Sequence, residues 1–228
     1  GADRITLGWG ADWVQAGAGN DTIDAGGGAN LLAFNRGDGA DTVVNSQWNQ
    51  DTISLGGGIR YADLKLFKSG NNLVLGTGGT DQITLKDWYG AGAQYHGVGR
   101  LQVITQGTAD YVAGSSNSLN NRPLAVFDFA HIAEAFDSAR AVNATVGSTG
   151  NGWAVGQDLT AAQLQGNGYP AGTVNPWVAL QAGTALVNAA PIDGTPTGSS
   201  PSQQTVEQLI VAAMASGASG NVATGWAR

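Results

Sequence analysis

The chain has 228 residues, with 17 acidic and 10 basic side chains and a formal net charge of −7, which disfavours nucleic acid and anionic membranes as partners. It has no cysteine, which excludes disulfides, and no apolar run approaches the roughly 18 residues of a membrane span. Fifteen of the acidic residues are Asp, and seven of these precede residue 52, with only Arg4 and Arg36 beside them. Such a concentration of charge repels itself unless a cation neutralises it.

Residues 1–44 contain a nine-residue repeat. An Asp or Asn recurs at one fixed position, at Asp3, Asp12, Asp21 and Asn30. A branched apolar residue follows two positions later, at Ile5, Val14, Ile23 and Leu32. After a slip of two residues the pattern returns between Asp41 and Val43. The chain begins without Met inside this repeat and shows no signal peptide, so we expect it to be part of a longer protein.

The repeat predicts a coil made of two units, each a glycine-rich turn followed by a very short strand. Polar residues would then stack in two files: Asp3, Asp21 and Asp41 on one side, and Asp12, Asn30 and Asp51 on the other. The apolar residues would line two inner walls: Ile5, Ile23 and Val43, and Val14, Leu32 and Ile53. Glycines are expected to supply positive φ angles and to turn carbonyl groups inward, at Gly8, Gly17, Gly19, Gly26 and Gly28.

Stacked turns of this kind offer the oxygen ligands that calcium prefers, which are carboxylates and main-chain carbonyls. The block resembles the calcium-binding β-roll of RTX (repeats-in-toxin) proteins. The resemblance implies carboxylate ligands at Asp3, Asp12, Asp21 and Asp41. It also implies metal-site positions in the turns, at Gly8, Gly10, Gly17, Gly19, Gly26 and Gly28.

Asn30 departs from the motif, which indicates a weaker or missing site on the Asp12 side. The alternative to calcium binding is a metal-free solenoid that uses Asp in its turns. Stacked Asp without cations would then cost several kcal/mol in repulsion and desolvation. From the number of stacked turns we expect roughly two to five calcium ions.

The segment from Phe34 to Val43 resembles the motif that closes many RTX repeat blocks, and it adds Arg36 and Asp38 to the candidate metal-site residues. Residues 51–89 resemble the haemolysin-type calcium-binding related domain of the same exoproteins. We therefore assign residues 1–58 to a calcium-binding β-roll.

Residues 59–126 are predicted to be a capping β region. Alternation and turn signals predict a meander of three strands, within Leu64–Lys68, Leu73–Leu75 and Gln82–Tyr89. This meander is well placed to cover the open end of a solenoid, with Trp88 and Tyr89 packing at the cap. Leu101–Ile104 is a further candidate strand, and residues 114–118 are predicted to be a loop.

Residues 127–228 are predicted to be partly helical. Asp128 is expected to cap a helix whose inner face contains Phe129, Ile132, Phe136 and Ala139. Thr160 is expected to open a capping box before a short helix. Further helices are expected at 176–188 and 203–216, with a linker at 194–202. This tail resembles the C-terminal regions of large bacterial RTX proteins, and the resemblance implies an uncleaved type I secretion signal.

Catalytic signals are weak. The chain has two histidines, no cysteine and no G-x-S-x-G motif, so we expect no enzyme activity from it. A spacing of i and i+3 allows His131 and Glu134 to bind a metal together. A polar helix face is the much commoner reason for such a pair and is the favoured interpretation. Trp9 and Trp13 are either a sugar-binding platform or packing residues, and packing is the commoner use of such aromatics.

The fold class that follows is mainly β with a helical tail, a parallel β-roll capped by a β-meander. The predicted function is calcium-dependent folding and secretion at the C-terminus of a bacterial RTX exoprotein, with calcium ions and the type I secretion apparatus as partners. The predicted location is extracellular or at the cell surface. The alternatives are a calcium-stabilised adhesin that binds host or surface glycans, and an accessory domain of a secreted enzyme or toxin.

Overall fold

A computed structural model describes residues 1–44, 51–90, 96–164 and 222–224. These residues form mostly β-structure with few helices, as the sequence predicts. The strands are β1 (Arg4–Thr6), β2 (Trp13–Gln15), β3 (Thr22–Asp24), β4 (Leu31–Phe34), β5 (Ala40–Val44), β6 (Asp51–Leu55), β7 (Lys65–Ser69), β8 (Asn72–Gly78), β9 (Asp81–Lys86), β10 (Val98–Ile104), β11 (Leu124–Asp128), β12 (Trp153–Ala154) and β13 (Val222–Thr224). The α-helices are α1 (Phe129–Val142) and α2 (Leu159–Ala162), and short 3-10 turns span Tyr61–Asp63 and Val155–Gln157.

Successive strands of the repeat alternate between two sheets. β1, β3 and β5 are parallel neighbours in the first sheet, and β2, β4 and β6 are parallel neighbours in the second. The register aligns the apolar residues in two rows: Ile5 with Ile23 and Val43, and Val14 with Leu32 and Ile53. Both predicted inner walls are confirmed, because a period of two strands per coil fixes which residues lie above one another.

Glycine is required where one coil passes close to the next. Gly28 has a φ of 110°, and a Cβ atom placed there would lie 1.6 Å from the carbonyl oxygen of Gly10. Gly26 has a φ of 66°, and its Cβ would lie 2.2 Å from the carbonyl oxygen of Gly8. Any side chain at these positions would push the coils apart, so the repeat keeps glycine there.

The predicted meander exists, and it continues the first sheet. β9 pairs parallel with β5, as a further coil would, and β8 and β7 follow it in antiparallel order. The third predicted strand was too long, because β9 ends at Lys86 and Asp87 has a φ of 57°, which turns the chain. Trp88 is buried after this turn, whereas Tyr89 is only partly buried.

The second sheet is extended by the part of the sequence between the meander and the helix. β10 contains the predicted strand at Leu101–Ile104 and pairs parallel with β6. β11 then pairs antiparallel with β10, and its chain runs directly into α1. At the opposite edge of this sheet, β13 pairs parallel with β2.

Helix α1 closes the core. The side chain of Asp128 accepts a hydrogen bond from the main-chain N–H of His131, which confirms the predicted cap. Phe129, Ile132 and Phe136 are buried on the predicted face, and Phe129 meets Trp88 edge-on, with 5.6 Å between the ring centroids. One hydrophobic cluster therefore runs from the repeat strands into the helix.

The expected capping box at Thr160 is wrong. Helix α2 begins at Leu159 with Asp158 as its N-cap, and no side chain caps it, so Thr160 lies inside the helix. The predicted elements at 176–188, 194–202 and 203–216 lie outside the described residues. None of the described helices is both long enough and apolar enough to cross a membrane.

Candidate metal centre

The first file of aspartates forms a ladder from coil to coil. Asp21 Oδ1 accepts the main-chain N–H of Asp3 at 2.7 Å, and Asp41 Oδ1 accepts the N–H of Asp21 at 2.9 Å. Each carboxylate therefore points toward the coil before it and uses one oxygen to fix the register. This arrangement confirms the predicted stack of Asp3, Asp21 and Asp41.

The second file repeats the pattern on the other side of the coil. Asn30 Oδ1 accepts the N–H of Asp12 at 3.0 Å, and Asp51 Oδ1 accepts the N–H of Asn30 at 3.0 Å. The predicted stack is confirmed here as well. Asp51 was absent from the candidate ligands. The sequence contained the signal, because Ile53 follows Asp51 at the same two-residue spacing that defines the other repeat units.

The polar residues of both files are buried, apart from Asp3 at the exposed edge. Their exposed fractions are 3% for Asp12, 1% for Asp21, 2% for Asn30, 2% for Asp41 and 1% for Asp51. Burying a carboxylate is costly unless a counter-charge or hydrogen-bond donors compensate it. Each file places such groups one coil apart. This is an unusual charge distribution for a protein without a bound cation.

The cost of burying these carboxylates raises pKa values in and next to the first file. The pKa of Asp41 is raised to about 7, mainly by burial and to a smaller extent by the negative charges of Asp21, Asp38 and Asp81, while the N–H that Asp21 donates acts in the opposite direction. Burial also raises the pKa of Asp38, with smaller contributions from Asp81 and Asp21. A bound cation would reverse this effect, because it favours the ionised carboxylate.

Asp21 has one oxygen that is fully buried and lacks a partner. Its Oδ1 accepts from Asp3, but its Oδ2 has no hydrogen-bond partner in the described part of the chain. An acceptor left in this state costs about 1–3 kcal/mol, more when it is charged. A hard cation bound at Oδ2 would remove that cost, so the residues present fit calcium.

The candidate glycines differ in their backbone φ angles. Positive φ angles occur at Gly10, Gly17, Gly19, Gly26 and Gly28. The prediction of a positive φ at Gly8 is wrong. Its carbonyl accepts the N–H of Gly27 at 3.1 Å beside a parallel bridge between Trp9 and Gly27, and bridge geometry needs no left-handed residue.

Arg36 and Asp38 lie in the turn before β5. The guanidinium of Arg36 forms an ion pair with Asp63 and donates to the carbonyl of Gly58 at 3.1 Å, so its side chain is already engaged. A guanidinium is cationic and has no oxygen, so the main-chain carbonyl is the one atom of Arg36 that could bind a metal. Asp38 is half-buried, and its Oδ2 accepts the N–H of Asn35 at 2.7 Å.

No group of three or more His, Asp or Glu side chains converges among the residues that the structure describes. A cation held by these coils would thus need main-chain carbonyls beside each carboxylate. His131 lies 3.2 Å from Asp158, measured from Nε2 to Oδ2, and this contact explains it as part of a polar helix surface. The metal pair of His131 and Glu134 is not supported.

The two tryptophans of the repeat have different environments. Trp9 is 92% exposed, whereas Trp13 is only 6% exposed. The alternative of a joint sugar-binding platform is wrong, because a buried indole cannot present its face to a ligand, and packing, the favoured interpretation, holds for Trp13. Trp13 lies in β2, next to β13 in the second sheet, and two-sided burial of that sheet explains the difference.

Residues 6–43 match the family model of the RTX calcium-binding nonapeptide repeat, in four copies. The chain therefore contains an RTX-type calcium-binding domain, and the matched segment includes both files of stacked residues except Asp3 and Asp51. No curated protein matches the chain.

Proposed function

We propose that this chain is a calcium-dependent folding module of a secreted bacterial RTX protein. The observation that carries the proposal is the buried Oδ2 of Asp21, which has no hydrogen-bond partner among the described residues, within a ladder of buried carboxylates. The repeat family supports calcium as the cation. When bound, calcium supplies the positive charge that the stacked carboxylates lack.

The proposed ligands are the carboxylates of Asp21 and Asp41, with Asp3 in the same file, Asp38 in the turn before β5, and Asp12 in the second file. Main-chain carbonyls of the glycine turns complete the shell, since calcium accepts both kinds of oxygen. Arg36 contributes its carbonyl at most. Asp51 holds the same place in the second file as Asp41 holds in the first, but its Oδ1 already accepts hydrogen bonds from both the main-chain N–H and the side-chain amide of Asn30.

The parallel strands that alternate between two sheets support a β-roll over residues 1–58. We propose that residues 59–126 serve as its cap and that residues 127–228 form a tail with a type I secretion signal. The strand pairs β5–β9 and β6–β10 support the capping role, because they join the repeat to the core around Trp88 and Phe129.

The biological logic is a compartment switch. Calcium is scarce in the cytosol, so the acidic repeat remains unfolded and can be exported as a chain. Outside the cell calcium is roughly millimolar, which matches the affinity of about 10⁻⁴–10⁻³ M typical of extracellular calcium modules. Binding then supplies folding free energy, because the unfolded chain has no preformed site.

Circular dichroism of the full chain tests this function. We expect little β-structure in excess chelator, a large gain on adding calcium, and reversal when chelator is added again. A spectrum that is fully β-rich in chelator and unchanged by calcium would overturn the proposal. Trypsin digestion at the same calcium concentrations provides an independent measure of folding.

A second candidate function is glycan binding, now resting on Trp9 alone. Its indole lies over Gly27, where an added Cβ would be 2.7 Å from Trp9 Cε3, and its outer face is exposed. An exposed indole suits stacking on a sugar ring. Glycan-array binding by the calcium-loaded chain, lost in Trp9→Ala, would support an adhesin. No signal in the wild type would exclude it.

We propose no catalytic role for the described residues. His131 contacts Asp158, and His96 stacks on Trp88 at 3.8 Å between ring centroids, so both histidines have structural contacts. An accessory role beside an enzyme or toxin domain is compatible with this arrangement. Any activity of that kind would belong to other parts of a longer protein.

A further inference from the structure

The two files differ at the middle coil, where Asp21 stands in one and Asn30 in the other. Both residues use Oδ1 in the same way, accepting the N–H of the residue one coil earlier, Asp3 or Asp12. Both also donate their own N–H to the aspartate one coil later, Asp41 or Asp51. The two sites are thus matched, except for the second terminal atom of the side chain.

That second atom has opposite character in the two files. In Asp21 it is Oδ2, a buried acceptor without a hydrogen-bond partner in the described chain. In Asn30 it is the Nδ2 amide, which donates to the carbonyl of Ala25 at 3.1 Å and to Asp51 Oδ1 at 2.8 Å. The amide therefore joins a main-chain carbonyl of its own turn to a carboxylate of the next coil.

Those two oxygens are of the kinds that calcium collects, a carbonyl and a carboxylate. We propose that the Asn30 amide takes the place of a calcium ion, so that this coil of the second file closes without metal. Calcium is then taken up at the matched position in the first file, beside Asp21 and Asp41. The inference rests on the proposed calcium-binding function and deepens it, because it assigns which side of the coil requires the ion.

Burial strengthens the amide contacts. Asn30 is 2% exposed and Ala25 is fully buried, so water does not compete for these hydrogen bonds. The hydrogen bond to Asp51 is also charge-assisted, which makes it stronger than a neutral one. In the folded chain this set of contacts, one rung of the file, holds β4 against β6 without a cation, whereas the matched rung at Asp21 needs one.

Two reciprocal substitutions in the full chain test the inference by calcium stoichiometry, measured by titration calorimetry. Asn30→Asp replaces the amide with a second carboxylate oxygen, and we expect the bound calcium to rise by one ion per chain. Asp21→Asn transfers the amide to the first file, and we expect one ion fewer while the chain still folds in calcium. Circular dichroism in calcium establishes that each variant is folded.

The outcomes separate the two proposals. A wild type that binds no calcium would overturn the proposed function itself. A wild type that binds calcium, with an unchanged count in Asn30→Asp, would overturn only the assignment of the Asn30 rung. If Asn30→Asp does not fold, the count in Asp21→Asn decides, and an unchanged count there would also overturn the assignment.

Discussion

Asp41 Oδ1 accepts the main-chain N–H of Asp21 at 2.9 Å, and the two residues are adjacent rungs of one buried file. This single contact fixes the register of β3 on β5 and places two carboxylates one coil apart. The same geometry that orders the coil therefore concentrates negative charge inside it. A cation between the rungs would resolve that conflict, which is the physical basis of the proposed calcium-dependent folding.

Removing the central carboxylate should weaken calcium-induced folding. We expect Asp21→Ala to raise the calcium concentration at half-folding by at least about tenfold, equivalent to about 1.4 kcal/mol. Glu134→Ala is the matched control, because it removes the same charge from an exposed position of α1. Calcium titrations followed by circular dichroism measure both. Equal shifts in the two variants would mean that only net charge matters.

The metal-free fold should respond to pH through Asp41. Its pKa is about 7 in the folded chain and falls to its ordinary value of 3.8 on unfolding. Between these values the folded state holds a proton that the unfolded state has released, so the fold loses stability as pH rises through this window. Asp38, whose pKa is also raised, acts in the same direction.

In excess chelator we therefore expect the folded fraction to increase when the pH is lowered from about 8 to about 5. Circular dichroism at each pH measures this fraction. Saturating calcium should abolish this acid stabilisation, since the bound ion keeps the carboxylates ionised. A chelated chain that becomes less stable over the same interval would contradict the burial of an uncompensated Asp41.

Magnesium should not replace calcium. It requires near-ideal octahedral geometry at about 2.0–2.1 Å, whereas calcium accepts irregular shells at about 2.3–2.6 Å. Carbonyls of a coil have positions fixed by the sheet register and cannot contract around the smaller ion. We expect no folding in millimolar magnesium with calcium removed, measured by circular dichroism. Full folding by magnesium would point to simple charge screening.

Close contact between coils makes Gly28 sensitive to substitution. Gly28→Ala would place a Cβ 1.6 Å from the carbonyl oxygen of Gly10, and we expect a loss of about 3 kcal/mol or more. Gly114→Ala is the matched control, because Gly114 also has a positive φ, 78°, but an added Cβ has no neighbour within 4 Å. We expect about 1–2 kcal/mol there. Urea unfolding in saturating calcium compares the two, and equal losses would exclude the coil contact.

Much of the repeat is predictable from sequence, because its period alone determines the stacking. The files through Asp21 and Asn30 and the inner walls through Ile23 and Leu32 follow from the recurrence of nine residues. The burial of Trp13 does not follow, because it depends on the position of β2 between β4 and β13. The pairing of β6 with β10 could not be predicted from the sequence either, since local periodicity carries no information about contacts between distant segments.

Asn30 shows a different limit of sequence reasoning. The departure from Asp was visible, and it indicated a weaker or missing site. The partners of its amide, Ala25 and Asp51, come from the register of the coils and from the turn before β4. The sequence therefore indicates the loss of a carboxylate, whereas the contacts of the amide that replaces it are visible only in the folded structure.

Anomalous scattering from crystals of the full chain grown in calcium tests the central claim most directly. We expect a calcium peak about 2.3–2.6 Å from Asp21 Oδ2, with main-chain carbonyls completing its shell. We expect no peak beside the Asn30 amide. A calcium-saturated crystal without a peak at Asp21, its Oδ2 still lacking any partner, would contradict the account.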